Sequence, residues 1–181
     1  MNHGDHVRLI RDGVLGLTGG EWADLGSGTG AFTLALADLL GPGGSIVSVD
    51  RDGDALASQA RLLTARFPSA SVRCLRADLM DELTIGPMDG IVMANALHFI
   101  RERELFLTRL TSWIRPGGRF ILVEYDSDRG NPWVPHALSW DTWHATAERA
   151  GFGETRLIGR VPSRFLGSIY ASLSVTSVGP S

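Results

Sequence analysis

The chain holds a single cysteine, Cys74, among 181 residues, which excludes an internal disulfide and a thiolate zinc cluster. In the absence of a partner, Cys74 is expected to be a small buried hydrophobe within a strand. No apolar run approaches the roughly 20 residues needed to cross a bilayer, and Met1 to His6 lack an apolar signal region, so the cytoplasm is the expected location. Positive charge is not in surplus either: 17 Lys and Arg stand against 20 Asp and Glu, a net charge of -3. Without a basic footprint, nucleic acid is not an expected partner. No internal repeat or low-complexity tract interrupts the chain. What remains is 44% hydrophobic and 20% charged, an ordinary balance for one globular domain with a substantial core.

The feature that stands out is Trp22-Ala23-Asp24-Leu25-Gly26-Ser27-Gly28-Thr29-Gly30-Ala31-Phe32. A short apolar run ends in an acid, a glycine-rich turn follows, and an apolar helix pattern starts at once. That order reads as a strand, a tight loop and a helix N-terminus, a geometry that seats a nucleotide-like ligand. Gly26, Gly28 and Gly30 remove the Cβ where the chain turns sharply and where a ligand must approach the backbone. A second acid, Asp50, ends the next apolar run, and a third, Asp78, follows the one after it.

Hydrophobic spacing predicts a short N-terminal helix carrying Val7, Leu9, Ile10 and Val14 on its apolar side. Strands are then expected at 21–25, 45–50, 71–75, 90–94 and 119–125. Helices are expected at 31–40, 53–66, 101–114 and 139–150, with Gly41-Pro42-Gly43-Gly44, Pro68 and Arg115-Pro116-Gly117-Gly118 as breakers. Short apolar strands alternating with helices predict a parallel sheet covered on both faces. The tail differs: β-like runs at 154–161 and 168–175 are too close for a crossover helix, so they should form an antiparallel hairpin at one edge.

These motifs resemble the class I S-adenosylmethionine-dependent methyltransferases over residues 21 to 175. The resemblance lies in Asp24-Leu25-Gly26-Ser27-Gly28-Thr29-Gly30, Asp50, Ala77-Asp78-Leu79, Asn95-Ala96-Leu97-His98-Phe99 and Arg115-Pro116-Gly117-Gly118-Arg119. Within that superfamily the chain is most similar to the small-molecule branch that includes the ubiquinone and menaquinone biosynthesis methyltransferases. The resemblance implies an α/β fold, a doubly wound, mostly parallel seven-stranded sheet of order 3-2-1-4-5-7-6 with strand seven antiparallel. It also implies residues 1–20 as a helical cap over the pocket and 21–181 as the methyltransferase domain. The implied cofactor is S-adenosylmethionine, and the implied partner is a small-molecule acceptor, with a homodimer possible.

The residues fit that implication individually. Asp50 can accept two hydrogen bonds from a ribose diol, Asp78 and Leu79 can meet an adenine edge, and Asp24 can accept from a methionyl ammonium or brace the loop. Gly26, Ser27, Gly28, Gly30, Arg51 and Asn95 complete the expected cofactor set. Gly26-x-Gly28-x-x-Ala31 with Asp50 also satisfies the dinucleotide fingerprint. Asp24 ahead of the first glycine, the third glycine and the lack of room for a second domain weigh against a nicotinamide enzyme. A protein that binds the cofactor without transferring methyl is the other alternative, since a fold does not fix chemistry.

On the acceptor side, His98 is a candidate general base. Tyr125 is expected beside it, in a substrate wall with Trp133 and His136 and with Glu124 or Asp126 nearby. Asn95, Asp126 and Asp128 could supply oxygens to magnesium, but their spacing does not favour a metal site. His3 and His6 are expected to be surface residues.

Overall fold

The computed structural model describes residues 1–17 and 19–177. The chain runs α1 (His3–Val14), β1 (Glu21–Leu25), α2 (Ala31–Leu40), β2 (Ser45–Asp50), α3 (Gly53–Arg66), β3 (Ser71–Arg76), β4 (Met88–Ala94), α4 (Arg103–Ser112), β5 (Ile114–Tyr125), α5 (Trp140–Arg149), β6 (Phe152–Ser163) and β7 (Gly167–Thr176), with short 3₁₀ turns at Gly41–Gly43 and Leu97–Phe99. All seven strands form one sheet of order β3-β2-β1-β4-β5-β7-β6. Strands β1 to β5 are parallel to their neighbours, and β7 runs antiparallel to both β5 and β6. The doubly wound sheet and its terminal hairpin are those expected from the alternating pattern.

Local chemistry starts the helices where the sequence suggests. Asn2 and Asp5 form a reciprocal capping box at α1, Asp52 accepts from the Asp54 and Ala55 N–H groups at α3, and Ser139 accepts from Thr142 N–H at α5; each such cap contributes about 1 kcal/mol. Two apolar layers cover the sheet. One gathers Val7, Ile10, Val14, Trp22, Phe32, Leu36 and Ile121 beneath α1 and α2. The other gathers Leu25, Ile91, Phe106, Leu110, Phe120 and Trp143 beneath α4 and α5. Phe120 lies 5.6 Å from the Trp143 ring and 5.7 Å from Phe152, pairs that add about 0.5–1.5 kcal/mol each beyond their burial.

Two expectations need correction. Helix α4 occupies Arg103–Ser112, not 101–114, and β5 begins at Ile114, so Arg115-Pro116-Gly117-Gly118 lies inside the strand rather than before it. The cause is tertiary: Ile114 pairs with Met88 across a register shift, and Met88 N–H donates to the Trp113 carbonyl. Cys74 is exposed rather than buried, because β3 is an edge strand holding only exposed and half-buried residues. Helix α1 packs closely on the sheet: a Cβ on Gly13 would lie 2.5 Å from Ile121 Cδ1, and the Arg119 guanidinium donates to the Gly13 and Leu15 carbonyls at 2.9 and 2.7 Å.

Candidate functional site

Parallel strands place their connecting loops at the carboxyl edge, and a cavity lies there. Its volume is about 650 Å³, and its walls come from Gly26 after β1, Asp50 and Arg51 after β2, Asp78 and Leu79 after β3, and Asn95 and Phe99 after β4. Six of the ten expected cofactor residues line one space: Gly26, Asp50, Arg51, Asp78, Leu79 and Asn95. Asp24, Ser27, Gly28 and Gly30 are not among its lining residues.

The glycine loop has positive φ at all three glycines, +72° at Gly26, +53° at Gly28 and +86° at Gly30. Space forbids a side chain at two of them. A Cβ on Gly26 would lie 2.5 Å from the Ala96 Cβ, and one on Gly30 would lie 2.3 Å from Gln59 Cγ. Gly26 thus lets the loop approach the chain after β4, and Gly30 lets the start of α2 meet α3. Asp50 ties loop to helix: Oδ2 accepts from Gly28 N–H at 2.7 Å and Oδ1 from Asp52 N–H at 2.8 Å. Each carboxylate oxygen keeps a second lone pair for a ligand. Asp78 braces its own turn by accepting from Met80 N–H at 2.9 Å.

Asn95 is the residue most plainly shaped for a ligand. It is the one non-glycine residue with positive φ among the described residues, at +51°. Its side-chain oxygen, sealed from solvent, has no hydrogen-bond partner among the described residues. Its backbone is pinned by donation from its N–H to the Val123 carbonyl at 2.8 Å. A strained backbone and an unpaired buried acceptor in a cavity wall are the marks of a site completed from outside.

A methyltransferase-domain family matches residues 23–120 of the chain, the stretch that builds β1 through β4 and most of β5. The chain belongs to this family. Over 165 residues the chain is 28% identical to an arsenite methyltransferase of Aquipseudomonas alcaligenes; the match takes in 81% of the chain and 48% of that relative. The chain therefore spans about half the length of that curated relative. In fold it is similar to the YcgJ protein of Bacillus subtilis, at TM-score 0.79 and 12% identity over 98% of this chain and 100% of that one. It is also similar to the N-terminal domain of EvdMO1 with S-adenosylhomocysteine bound, at TM-score 0.72 and 20% identity over 97% of this chain and 82% of that one.

The chain also carries a buried polar network that the sequence does not announce. The Thr33 hydroxyl donates to Asp24 Oδ2 at 2.6 Å, Gln59 Nε2 donates to Thr33 Oγ1 at 2.9 Å and to Ser48 Oγ at 2.7 Å, and the Ser48 hydroxyl donates to Ser27 Oγ at 2.7 Å. Asp24 is 1% exposed, and its hydrogen bond runs to Thr33 in the first turn of α2. Burial, with the Asp50 charge nearby, pushes its carboxyl up to about 7, against the opposing hydrogen bond from Thr33.

The acceptor side of the expected site is only partly assembled. His98 is buried with Glu124: Nδ1 lies 2.8 Å from Glu124 Oε2, and the His98 backbone N–H donates to Oε1 at 3.1 Å. Tyr125 stands beside it with ring centroids 6.2 Å apart. Burial, and then the Glu124 charge, pushes the Tyr125 phenol up, which keeps it a hydroxyl donor. Trp133 does not join this wall; it is 74% exposed, because its N–H and that of Val134 are held in a turn by Asn131 Oδ1. His136 contributes backbone instead, its N–H donating to the His98 carbonyl at 3.0 Å and its carbonyl accepting from Arg103 Nη2 at 2.6 Å. Asp126 and Asp128 accept from Trp140 N–H and Ser139 N–H at the start of α5, and Asp126 also pairs with Arg160 at 2.7 Å. His3 reaches Asp38 at 3.0 Å, and His6 packs edge-on against Phe32 at 4.9 Å.

Proposed function

We propose that this chain transfers a methyl group from S-adenosylmethionine to oxygen, nitrogen or carbon of a small molecule, with the cofactor held in the cavity at the carboxyl edge of β1 to β4. The observation that carries this reading is the convergence of Gly26, Asp50, Asp78, Leu79 and Asn95 on one space. The donor set fits the group. The Asp50 carboxylate suits a ribose diol, the Asp78–Leu79 turn suits the edge and face of an adenine ring, and the Asn95 oxygen suits an N–H donor such as an ammonium. When bound, the cofactor supplies an electrophilic methyl on a sulfonium. The chain's own work is then to align the acceptor, exclude water and, for a hydroxyl acceptor, take up a proton. His98 and Tyr125 are the residues we place on the acceptor side.

The acceptor of the arsenite relative does not carry over easily. Soft acceptors are held by thiolates, and Cys74, the sole cysteine, is exposed on edge strand β3 and does not line the cavity. Among the described residues no helix is long and apolar enough to cross a membrane. The same reading puts the protein in the cytoplasm, as a homodimer if it self-associates, which light scattering of the purified protein reads directly.

Calorimetric titration with S-adenosylmethionine, S-adenosylhomocysteine and NAD in parallel tests the cofactor. Micromolar binding of the first two, about -8 kcal/mol, with no heat from NAD is the expected result; binding of NAD alone would replace methyl transfer with hydride transfer. Release of S-adenosylhomocysteine in an acceptor screen then separates a transferase from a protein that only binds the cofactor.

A further inference from the structure

Helix α4 holds two separate walls of the cavity. One wall, Phe99 to Glu102, runs directly into the helix, whose first backbone bond is donation from Phe106 N–H to the Glu102 carbonyl at 3.0 Å. The helix is fixed in turn by Phe106, Leu107 and Leu110, all fully buried in the core. Another wall, Ala77 to Met80 after β3, is distant in sequence. Arg109 reaches it from the last turn of α4: Nη1 donates to the Met80 carbonyl at 2.8 Å and Nη2 to the Asp81 carbonyl. The same guanidinium lies over the Trp113 ring, 5.6 Å from its centroid.

The turn that Arg109 grips has little else to hold it. Within the turn, Met80 N–H donates to Asp78 Oδ1 at 2.9 Å and Asp81 N–H to the Asp78 carbonyl at 3.1 Å. Upstream, Ala77 N–H donates to the Asp50 carbonyl at 3.1 Å. Downstream, residues 82–87 carry no helix or strand, and the next anchors are the buried Leu83 and Ile85. Among the described residues, Arg109 is the one side chain from outside the turn that bonds to it. The placing of this turn reaches the glycine loop: a Cβ on Gly26 would lie 3.8 Å from Leu79 Cδ1 and 2.5 Å from Ala96 Cβ. Two consecutive carbonyls call for two N–H donors in one fixed plane, which a guanidinium supplies and an ammonium does not.

We propose that Arg109 is a positioning residue for the cofactor's base, fixing the turn from Asp78 to Asp81 against α4 so that the Asp78 carboxylate meets the adenine amino group and Leu79 the ring face. This rests on the cofactor reading above. Arg109 does not itself line the cavity, so it acts through the turn and governs which base is accepted. Arg109→Met removes both donors while keeping an apolar stem against Trp113. Arg109→Lys keeps the charge without the two-pronged grip.

The test titrates the protein by calorimetry with S-adenosylhomocysteine and with S-inosylhomocysteine, in which a ring carbonyl replaces the adenine amino group. Wild-type protein should prefer the first by about tenfold or more. Arg109→Met should bind S-adenosylhomocysteine about fivefold more weakly and S-inosylhomocysteine nearly as before, so that the preference shrinks by a similar factor. Amide hydrogen exchange in the ligand-free protein reads the turn directly: Met80 and Asp81 should exchange about tenfold faster in Arg109→Met, with the amides of β1 and β4 unchanged. Arg109→Lys, the milder change, should fall between the two proteins in both measurements and carries the comparison alone if Arg109→Met does not fold. A residue serving stability only would weaken both ligands equally and leave their ratio untouched. That result, unchanged exchange at Met80 and Asp81, or equal binding of the two ligands by wild-type protein would overturn this proposal alone. Failure of wild-type protein to bind S-adenosylhomocysteine would sink the cofactor reading and this one together.

Discussion

Asp50 and Asp24 are both acids at strand ends, yet their surroundings assign them opposite work. Asp50 lines the cavity while accepting two backbone N–H groups. Replacing it with Asn leaves one of those donors facing an NH₂ and removes the charge from a ligand diol. Cofactor affinity should fall by about 1.5–3 kcal/mol, read by calorimetry, and unchanged affinity would refute the ribose assignment. Asp24, raised to about 7 from an ordinary 3.8 by its burial, behaves in reverse. Because its folded value lies above its unfolded one, its contribution to stability is fully present below about pH 4 and is lost as pH rises through 7. Asp24→Asn keeps an acceptor for Thr33 and has no charge to bury. The variant should be more stable than wild type at pH 8 by on the order of 3 kcal/mol, the gap closing by pH 4. Urea midpoints measured across that range would show it, and a gap that does not change with pH would count against the burial argument. At Asn95, glycine relieves the positive φ but deletes the unpaired oxygen. Asn95→Gly should leave stability within about 1 kcal/mol and weaken cofactor binding several-fold by the same titration.

At the scale of elements, the glycine loop is a joint between α2 and α3 as much as a ligand cradle. Gly30 sits with φ +86° where a Cβ would strike Gln59, and Gln59 holds Thr33 of α2 and Ser48 of β2. Gly30→Ala therefore forces both a left-handed alanine and displacement of the network's central side chain. A destabilisation of about 2–4 kcal/mol is expected, visible as a lower thermal midpoint even without cofactor. Were the glycine present only for ligand approach, the midpoint would hold and affinity alone would drop. The loop was legible in the sequence because strand, glycines and helix are contiguous there. Gln59, Thr33 and Ser48 were not, since their partnership joins separate elements and each reads alone as an ordinary polar residue. Glu124 was read only as a neighbour of the site; its pairing with His98 spans 26 positions and has no local signature.

For the whole molecule, the cavity draws its walls from segments after β1, β2, β3 and β4, so occupying it ties together connections that otherwise meet only at their edges. Saturation with S-adenosylhomocysteine at about 100 times its dissociation constant should add about 2.7 kcal/mol to stability, and a thermal shift that grows with ligand concentration is the measurement. No shift would mean that the open cavity does not select this ligand.

Local chemistry was enough for the sequence to determine the sheet's alternation with helices, the terminal hairpin, the glycine loop and the acids at the strand ends. Each depends on residues a few positions apart, where turn geometry, capping and periodicity act. Tertiary structure decided the rest. It drew β5 back through Arg115-Pro116-Gly117-Gly118 to pair with Met88, packed the apolar face of α1 into the core, buried Asp24 and left Cys74 and Trp133 in solvent. It also joined His98 to Glu124. Those outcomes depend on which distant surfaces meet, and burial, strand pairing and unpaired polar groups acquire their energies only once they do.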